Sequence, residues 1–197
     1  TVDSLIVGNF LGSSALAAVS SSGSLIFMLI GFLSGISAGA GVIVARFFGA
    51  GDEKNLQRAV HTTVAFGLVA GVLMTGVGVA LSPQILRWMD TPESVMRESV
   101  TYLQIYFAGS LGFVMYNVLV GILQAVGDSR HPLYYLIVSS VINLVLDLLF
   151  ITGFHTGVGG AAVATVISQI VSALLCFWQL LRTKESYGLK IRKIRFD

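Results

Sequence analysis

The chain contains 197 residues, of which 55% are hydrophobic and only 11% are charged, and its formal net charge is +2. Several apolar runs exceed the roughly 18 residues that a helix needs to cross a bilayer core of about 30 Å. These properties exclude a soluble globular domain and predict an integral membrane protein, and no nucleic acid is expected as a partner. The single cysteine, Cys176, excludes an internal disulfide bond.

Apolar runs separated by glycine- and proline-containing turns predict an all-α membrane lobe of six spanning helices at residues 1–181. A basic linker toward further sequence is expected at 182–197. The predicted helices occupy residues 1–10, 15–48, 53–81, 100–126, 132–154 and 161–181. The first is expected to be truncated, because the chain starts within apolar sequence. Pro83 is expected to end the third helix, and a short surface helix is expected before the fourth.

The second predicted helix is rich in small residues. Gly31, Gly35 and Gly39 recur every four residues and therefore share a face, on which a neighbouring helix is expected to approach closely. Residues 35–39 also match the G-x-S-x-G pattern of hydrolase nucleophiles. That motif requires a strand-to-helix turn, which a spanning helix does not supply, so helix packing is the better interpretation.

No other pattern indicates an enzyme. Residues 157–162 resemble a dinucleotide-binding fingerprint, but they follow an apolar helix instead of a strand. The three histidines lack the spacing of metal ligands and are expected at membrane ends or in loops: His61, His131 and His155. We therefore predict that the protein is not an enzyme.

The fifth predicted helix carries a carboxylate, Asp147, in the middle of apolar sequence. A charged side chain at the centre of a bilayer costs about 2.5–3.5 kcal/mol on insertion scales, so such residues usually face a bundle interior and belong to an ion or substrate path. Asn143 precedes Asp147 by four residues, and Ser140 lies a further turn back, which predicts a polar stripe. The alternative is an aspartate that is neutralised by a neighbouring helix and serves packing alone.

Two other predicted helices also have polar faces. On the fourth helix, steps of three and four residues align four polar side chains: Tyr102, Tyr106, Ser110 and Asn117. On the sixth helix, one side carries Thr165, Ser168, Gln169, Ser172 and Cys176. These faces predict a polar interior shared by several helices.

Basic residues set the predicted orientation in the cell membrane. When the turns are assigned alternately to the two sides, one side receives ten of the twelve lysines and arginines: Arg46, Lys54, Arg58, Arg130, Arg182, Lys184, Lys190, Arg192, Lys193 and Arg195. The other side receives only Arg87 and Arg97. By the positive-inside rule, the C-terminal end of the chain is expected to be cytoplasmic. The basic tail is also expected to contact lipid head groups.

Four segments carry a family resemblance: residues 1–8, 49–52, 127–132 and 143–147. In their order and spacing they resemble the N-terminal six-helix lobe of the multidrug and toxic compound extrusion (MATE) family, and most closely its DinF-like branch. The resemblance implies a transporter of two six-helix lobes, of which the second is absent from this chain. It also implies export of small organic cations in exchange for inward Na⁺ or H⁺, without an organic cofactor.

The resemblance further implies a cation site inside this lobe. The family's site residues correspond to Asp3, Tyr102, Asn117, Asn143, Asp147 and Thr165. If the coupling ion is Na⁺, its expected ligands are the oxygen atoms of Asp3, Asn117, Asn143 and Asp147. If it is H⁺, the two carboxylates are expected to carry it.

Two alternatives stay open at this point. A flippase for lipid-linked oligosaccharides from the same superfamily would be expected to line its cleft with more arginine and lysine than these helices contain. An oligomeric six-helix channel would be expected to repeat a pore-lining face around an axis, and no such face or filter loop is visible in the sequence.

Overall fold

The computed structural model describes residues 2–194, except for the side chains of Val2, Asp3 and Lys193. Within this part of the chain the regular elements are helices. They are α1 (Val2–Leu11), α2 (Ser13–Ser21), α3 (Gly23–Gly49), α4 (Glu53–Trp88), α5 (Glu93–Ala108), α6 (Ser110–Ala125), α7 (Arg130–Leu148), a π-turn (Leu149–Gly153), α8 (Val158–Arg182) and a 3₁₀ turn (Ile191–Lys193). The most extensive interfaces are those of α4 with α6 and of α7 with α8.

The described helices form a multi-pass membrane bundle. Four segments are long and apolar enough to cross a membrane: Ser13–Gly49, Glu53–Trp88, Arg130–Gly153 and Val158–Arg182. The pair formed by α5 and α6 would be a fifth span, bent by 48°. At the bend, a side chain on Gly109 would collide with Val166, so the glycine lets α8 approach closely.

Two predicted helices are interrupted in the structure. The predicted helix at 15–48 is divided into α2 and α3 at Ser22, and the predicted helix at 100–126 is divided at Gly109. Its first part, α5, already begins at Glu93 and includes the region where a separate surface helix was expected. Both breaks lie at small residues, in the run at 20–24 and at Gly109 and Ser110, and small residues are also common within membrane helices, so composition alone does not reveal them.

Pro83 does not end the third predicted helix, because α4 continues to Trp88. A proline within a helix leaves the carbonyl four residues earlier without its usual backbone donor. Here that carbonyl, on Val79, accepts a hydrogen bond from Gln104 Nε2 at 3.5 Å. A neighbouring helix therefore supplies the missing donor, as membrane helices with internal prolines often require.

The glycines that bring helices together are not those of the predicted stripe. No described atom lies within 4 Å of the position that a Cβ would take at Gly31, Gly35 or Gly39. Instead, α4 presents three glycines to α5 and α6. Added side chains would meet Met115 and Val118 at Gly67, Leu111 at Gly71, and the ring of Phe107 at Gly78.

The segment after α8, predicted as a basic linker, folds back onto the start of α4. Gln57 Nε2 donates to the carbonyl oxygens of Ser186 and Gly188, the latter at 3.1 Å. His61 Nε2 accepts the backbone N–H of Lys190 at 3.0 Å, and its Nδ1 lies 2.6 Å from the Gln57 carbonyl oxygen. His61 is therefore buried, at 3% exposure, near the start of α4.

Candidate functional site

Asp147 lies near the C-terminal end of α7 and is fully buried, with 0% exposure. α7 packs there against α8 and α1. The burial of a carboxylate inside a membrane-spanning helix is costly unless a partner or an ion compensates for the lost hydration. Among the described residues, Asp147 is the one buried carboxylate, and its burial requires such compensation.

A π-turn follows Asp147 directly. The N–H of Phe154 donates to the carbonyl of Leu149 at 3.0 Å, five residues earlier, and the hydroxyl of Thr152 donates to the carbonyl of Leu148 at 2.5 Å. Single π-turns inside helices are frequent at functional sites, because they widen the helix and redirect nearby side chains. The apolar sequence of this stretch contains no signal that predicts the π-turn.

The buried face of α7 differs by one residue from the predicted stripe. Ser139 is buried, whereas Ser140, which was expected to share the face of Asp147, is exposed. Asn143 lies on the inward side, and its Nδ2 is buried without a hydrogen-bond partner among the described residues. The inward polar positions of α7 are therefore Ser139, Asn143 and Asp147, at steps of four residues.

Tyr102 and Thr165 lie close to the same end of the lobe as Asp147. Tyr102 is 5% exposed and packs in a buried cluster that includes Val7 of α1, Ile151 of the π-turn and Ala161 of α8. Ile151 lies one turn beyond Asp147, and Thr165 lies one turn beyond Ala161. The hydroxyl of Thr165 donates to the carbonyl of Ala161 at 3.0 Å. The structure thus brings three predicted site regions together.

Asn117 has different surroundings. It lines a groove of about 510 Å³ between α3 and α6. The backbone carbonyl oxygen of Asn117 accepts a hydrogen bond from the hydroxyl of Ser37 at 2.6 Å. The side-chain Nδ2 of Asn117 donates to the backbone carbonyl of Phe113 at 2.8 Å. The side chain of Asp3, the remaining predicted site residue, lies outside the described residues.

The polar face of α8 continues the site along the helix. Ser168 and Ser172 are buried, at 5% and 1% exposure. Gln169 Oε1 is buried and, within residues 2–194, has no hydrogen-bond partner. Buried polar atoms without a protein partner usually contact a water molecule or an ion. Together with the amide of Asn143, they indicate a hydrated polar interior.

One polar contact between α7 and α8 was missed by sequence reasoning. The hydroxyl of Tyr135 donates to Gln179 Oε1 at 3.3 Å, near the end of the lobe opposite the π-turn. The signal was present in the sequence, since Tyr135 precedes Ser139 by four residues. Among the described residues, no group of three or more His, Cys, Asp or Glu side chains could hold a metal ion.

Comparison with known proteins gives concordant results. The model of the MatE family matches residues 1–149. The chain is 38% identical over 187 residues to the "Probable multidrug resistance protein YoeA" of Bacillus subtilis, a match that covers 93% of this chain and 40% of that relative. It is 29% identical over 179 residues to the "DNA damage-inducible protein F" of Escherichia coli, covering 88% of this chain and 38% of that protein.

The fold is also similar to solved structures. The "Crystal structure of MATE in the bent conformation" superposes with a TM-score of 0.91 at 27% sequence identity, and the match covers 97% of this chain and 43% of that one. The chain spans about 40% of the length of the curated relatives it matches.

Proposed function

Because the chain belongs to the MatE family, we propose that it is one lobe of a secondary active exporter that moves small organic compounds out of the cell in exchange for Na⁺ or H⁺. The family and the all-helical lobe were both predicted from the sequence, and both predictions are confirmed. Relatives bear names of multidrug resistance proteins, which supports small organic compounds as the substrate class.

The observation that carries this proposal is the burial of Asp147. A carboxylate within a membrane-spanning helix is costly to bury, and such groups usually belong to an ion or substrate path. The adjacent π-turn and the buried amide of Asn143 support the same interpretation. We propose that the coupling cation binds at Asp147, with Asn143 and Thr165 as neutral neighbours.

The remaining predicted residues complete the proposed site. Asp3 would be the second carboxylate, and its position on α1 agrees with the packing of α1 against α7 and α8. Tyr102 would form the wall between these helices, since it packs against both α1 and α8. Asn117 would offer only its Oδ1, because its Nδ2 donates to the Phe113 carbonyl within α6.

Cation binding would change the charge state of a buried group. A cation at Asp147 neutralises the carboxylate, so the bound and empty sites favour different arrangements of the surrounding helices. A ligand shifts such an equilibrium only by its difference in affinity for the two arrangements. Entry of the cation from outside and its release inside would then drive the lobe through its transport cycle.

We also propose that the basic end of the lobe faces the cytoplasm. Three segments support a common basic end: the turn before α4, the turn before α7 and the segment after α8. The rings of Phe48 and Tyr187 meet at 5.9 Å, which joins the first and third segments. The bond between Tyr135 and Gln179 joins the second and third. Clustered basic residues favour the cytoplasmic side.

The experiment that tests this function uses the full-length two-lobe transporter, here called the full chain, in proteoliposomes loaded with a fluorescent organic cation. Na⁺ and H⁺ gradients are imposed separately, and dye efflux is followed by fluorescence. We expect efflux that depends on one of the two gradients, which would also identify the coupling ion. Efflux that ignores both gradients would contradict the proposal and favour the channel or the flippase.

A further inference from the structure

The polar positions of α7 extend well beyond Asp147. Steps of four residues back from Asp147 reach four polar side chains: Asn143, Ser139, Tyr135 and His131. Ser139 is buried, and the other three are half-buried, whereas most neighbouring positions of α7 are exposed. At His131 the series reaches the surface, because the His131 side chain is 45% exposed. There, His131 Nδ1 lies 2.7 Å from Asp128 Oδ2.

The polar face of α8 lies opposite Tyr135. From Tyr135 the α7 series turns by about 40° at each four-residue step, so that Asp147 lies about 120° further round the helix. α7 packs mainly against α8, and the Tyr135–Gln179 hydrogen bond fixes the register of the two antiparallel helices. At about 100° per residue, four α8 residues lie within about 60° of the direction in which Gln179 points: Thr165, Ser168, Ser172 and Cys176. Gln169 lies at the edge of this face, about 80° from that direction. We call the α7 series and the α8 residues together, with Gln169 and Gln179, the α7–α8 seam.

The register also gives the depth of each group. Asp147 lies 12 residues beyond Tyr135, which is about 18 Å along the helix axis at about 1.5 Å per residue. By the same counting, Asn143 is level with the turn that contains Gln169 and Ser172. The two buried polar atoms that lack a partner among the described residues, Asn143 Nδ2 and Gln169 Oε1, therefore lie at similar depth, between Asp147 and the basic surface.

The polarity of the seam would be costly if it served packing only. The hydroxyls of Ser139, Thr165 and Ser168 donate to carbonyl oxygens of their own helices. The buried amide atoms of Asn143 and Gln169 have no such partner among the described residues, and burying an unpaired polar atom is unfavourable. Apolar side chains would pack two membrane helices at least as well. The seam is therefore explained better by contact with water or a cation along its length than by helix association. Near the basic end of the lobe, the seam is closed in this structure by the Tyr135–Gln179 hydrogen bond, which lies between His131 and Ser139 along α7.

We propose that the α7–α8 seam is the route by which the coupling cation leaves Asp147 for the cytoplasm, and that Tyr135 and Gln179 close this route. The proposal rests on the proposed function and adds to it a release path. The seam offers neutral oxygen atoms, which suit either Na⁺ or a hydrated path for protons. The His131–Asp128 pair lies where the seam reaches the surface. Opening requires the Tyr135 hydroxyl to leave Gln179.

The first test blocks the seam at Ser139. In the full chain in proteoliposomes, Ser139→Val removes the hydroxyl and adds apolar volume beside Asn143. We expect gradient-driven dye efflux per folded molecule to fall by about threefold to tenfold, as expected when a hydrogen-bonding group worth roughly 0.5–1.5 kcal/mol is lost from the path. The external cation concentration that gives half-maximal efflux should not change, because the binding site is intact.

The control for Ser139→Val is Ser140→Val, which changes the adjacent exposed serine and should leave the efflux rate at the wild-type value. Folded protein is quantified by size-exclusion chromatography, so a loss of stability does not count as a loss of rate. A wild-type rate per folded molecule in Ser139→Val would overturn the proposal.

The second test opens the seam by removing a single oxygen atom. Tyr135→Phe deletes the hydroxyl that bonds Gln179 and leaves the ring in place. Without organic substrate, we expect entry of the coupling cation to rise by about threefold to tenfold, since the lost hydrogen bond is worth about 1 kcal/mol. Pyranine reports H⁺ and a sodium-sensitive dye reports Na⁺, which distinguishes the two ions.

Tyr134→Phe is the matched control for the second test, because Tyr134 is exposed and should not affect cation entry. The proposed function and the release route can be contradicted by different results. Wild-type efflux that ignores both gradients contradicts the proposed function. Gradient-driven wild-type efflux, combined with wild-type cation entry in Tyr135→Phe, contradicts the release route alone.

Discussion

The two largest helix interfaces of the lobe differ in their chemistry. Where α4 meets α5 and α6, glycines face large apolar side chains. Polar groups there are paired: the hydroxyls of Thr75 and Ser110 lie 2.9 Å apart, and Gln104 Nε2 donates to the Val79 carbonyl at 3.5 Å. In the α7–α8 seam, serines, amides and a tyrosine face one another, and two buried polar atoms lack partners among the described residues. Both interfaces belong to one bundle, so membrane insertion does not explain the difference.

The comparison indicates that the two interfaces have different roles within the lobe. Close apolar packing at the α4 interface is suited to hold the helices in a fixed arrangement, because packed cores respond strongly to small changes in volume. A polar seam is less tightly constrained and can admit water or an ion. Membrane helices do not need polar seams in order to associate, so the groups that line one are candidates for transport.

The largest effect is expected where the apolar interface is broken. Gly78→Leu would place a side chain in the volume occupied by the ring of Phe107, which predicts a loss of about 3 kcal/mol or more in the free energy of unfolding and little folded protein. Gly76→Leu is the control, because no described atom lies within 4 Å of a Cβ at Gly76. Thermal unfolding in detergent measures both. Equal melting temperatures would contradict the assigned packing.

An intermediate effect is expected at the polar interface. Asn143→Leu removes the buried amide beside Asp147 while conserving size. If the amide contacts the coupling cation, the substitution should weaken cation binding by about 1.5 kcal/mol. The cation concentration for half-maximal efflux should then rise about tenfold, with little change in melting temperature. An unchanged cation dependence together with a lower melting temperature would assign Asn143 to packing.

The smallest effect is expected outside both interfaces, at the turn before α4. The Asn55 backbone N–H, at 3.1 Å from Asp52 Oδ1, holds the pKa of Asp52 below its usual value. A lowered pKa in the folded state means that the carboxylate stabilises the fold above its unfolded pKa, and that this contribution disappears as the pH falls through the folded pKa. Asp52→Asn keeps the helix cap and should reduce only the acid-dependent part of the melting curve.

Titration of the melting temperature between neutral and acidic pH measures this contribution of Asp52. The same acid dependence in wild type and Asp52→Asn would show that the cap does not depend on the charge of the carboxylate.

The two interfaces also differ in how far they could be predicted. Asp147 and Asn143 were identified because a carboxylate in apolar sequence is unusual at any position. The choice of Ser140 over Ser139 was wrong, because both lie about one turn from Asn143 and only packing against α8 decides which one is buried.

The glycine contacts were harder to predict. Glycines at four-residue spacing occur on both α3 and α4, and the sequence does not state which stripe meets a neighbour within this lobe. The return of the segment after α8 to Gln57 and His61 joins residues about 130 positions apart, which no local pattern encodes. The formation of a helix follows from a local apolar pattern, whereas burial and the choice of packing partner depend on the whole fold.

The central claim is that Asp147 binds the coupling cation. Its most direct test is dye efflux by the full chain in proteoliposomes under the effective gradient, in wild type, Asp147→Asn and the surface control Asp52→Asn. We predict that Asp147→Asn inserts and folds normally but retains only the efflux seen without a gradient, while Asp52→Asn behaves as wild type. Gradient-driven efflux by Asp147→Asn at the wild-type rate would contradict the claim and assign the buried carboxylate to packing.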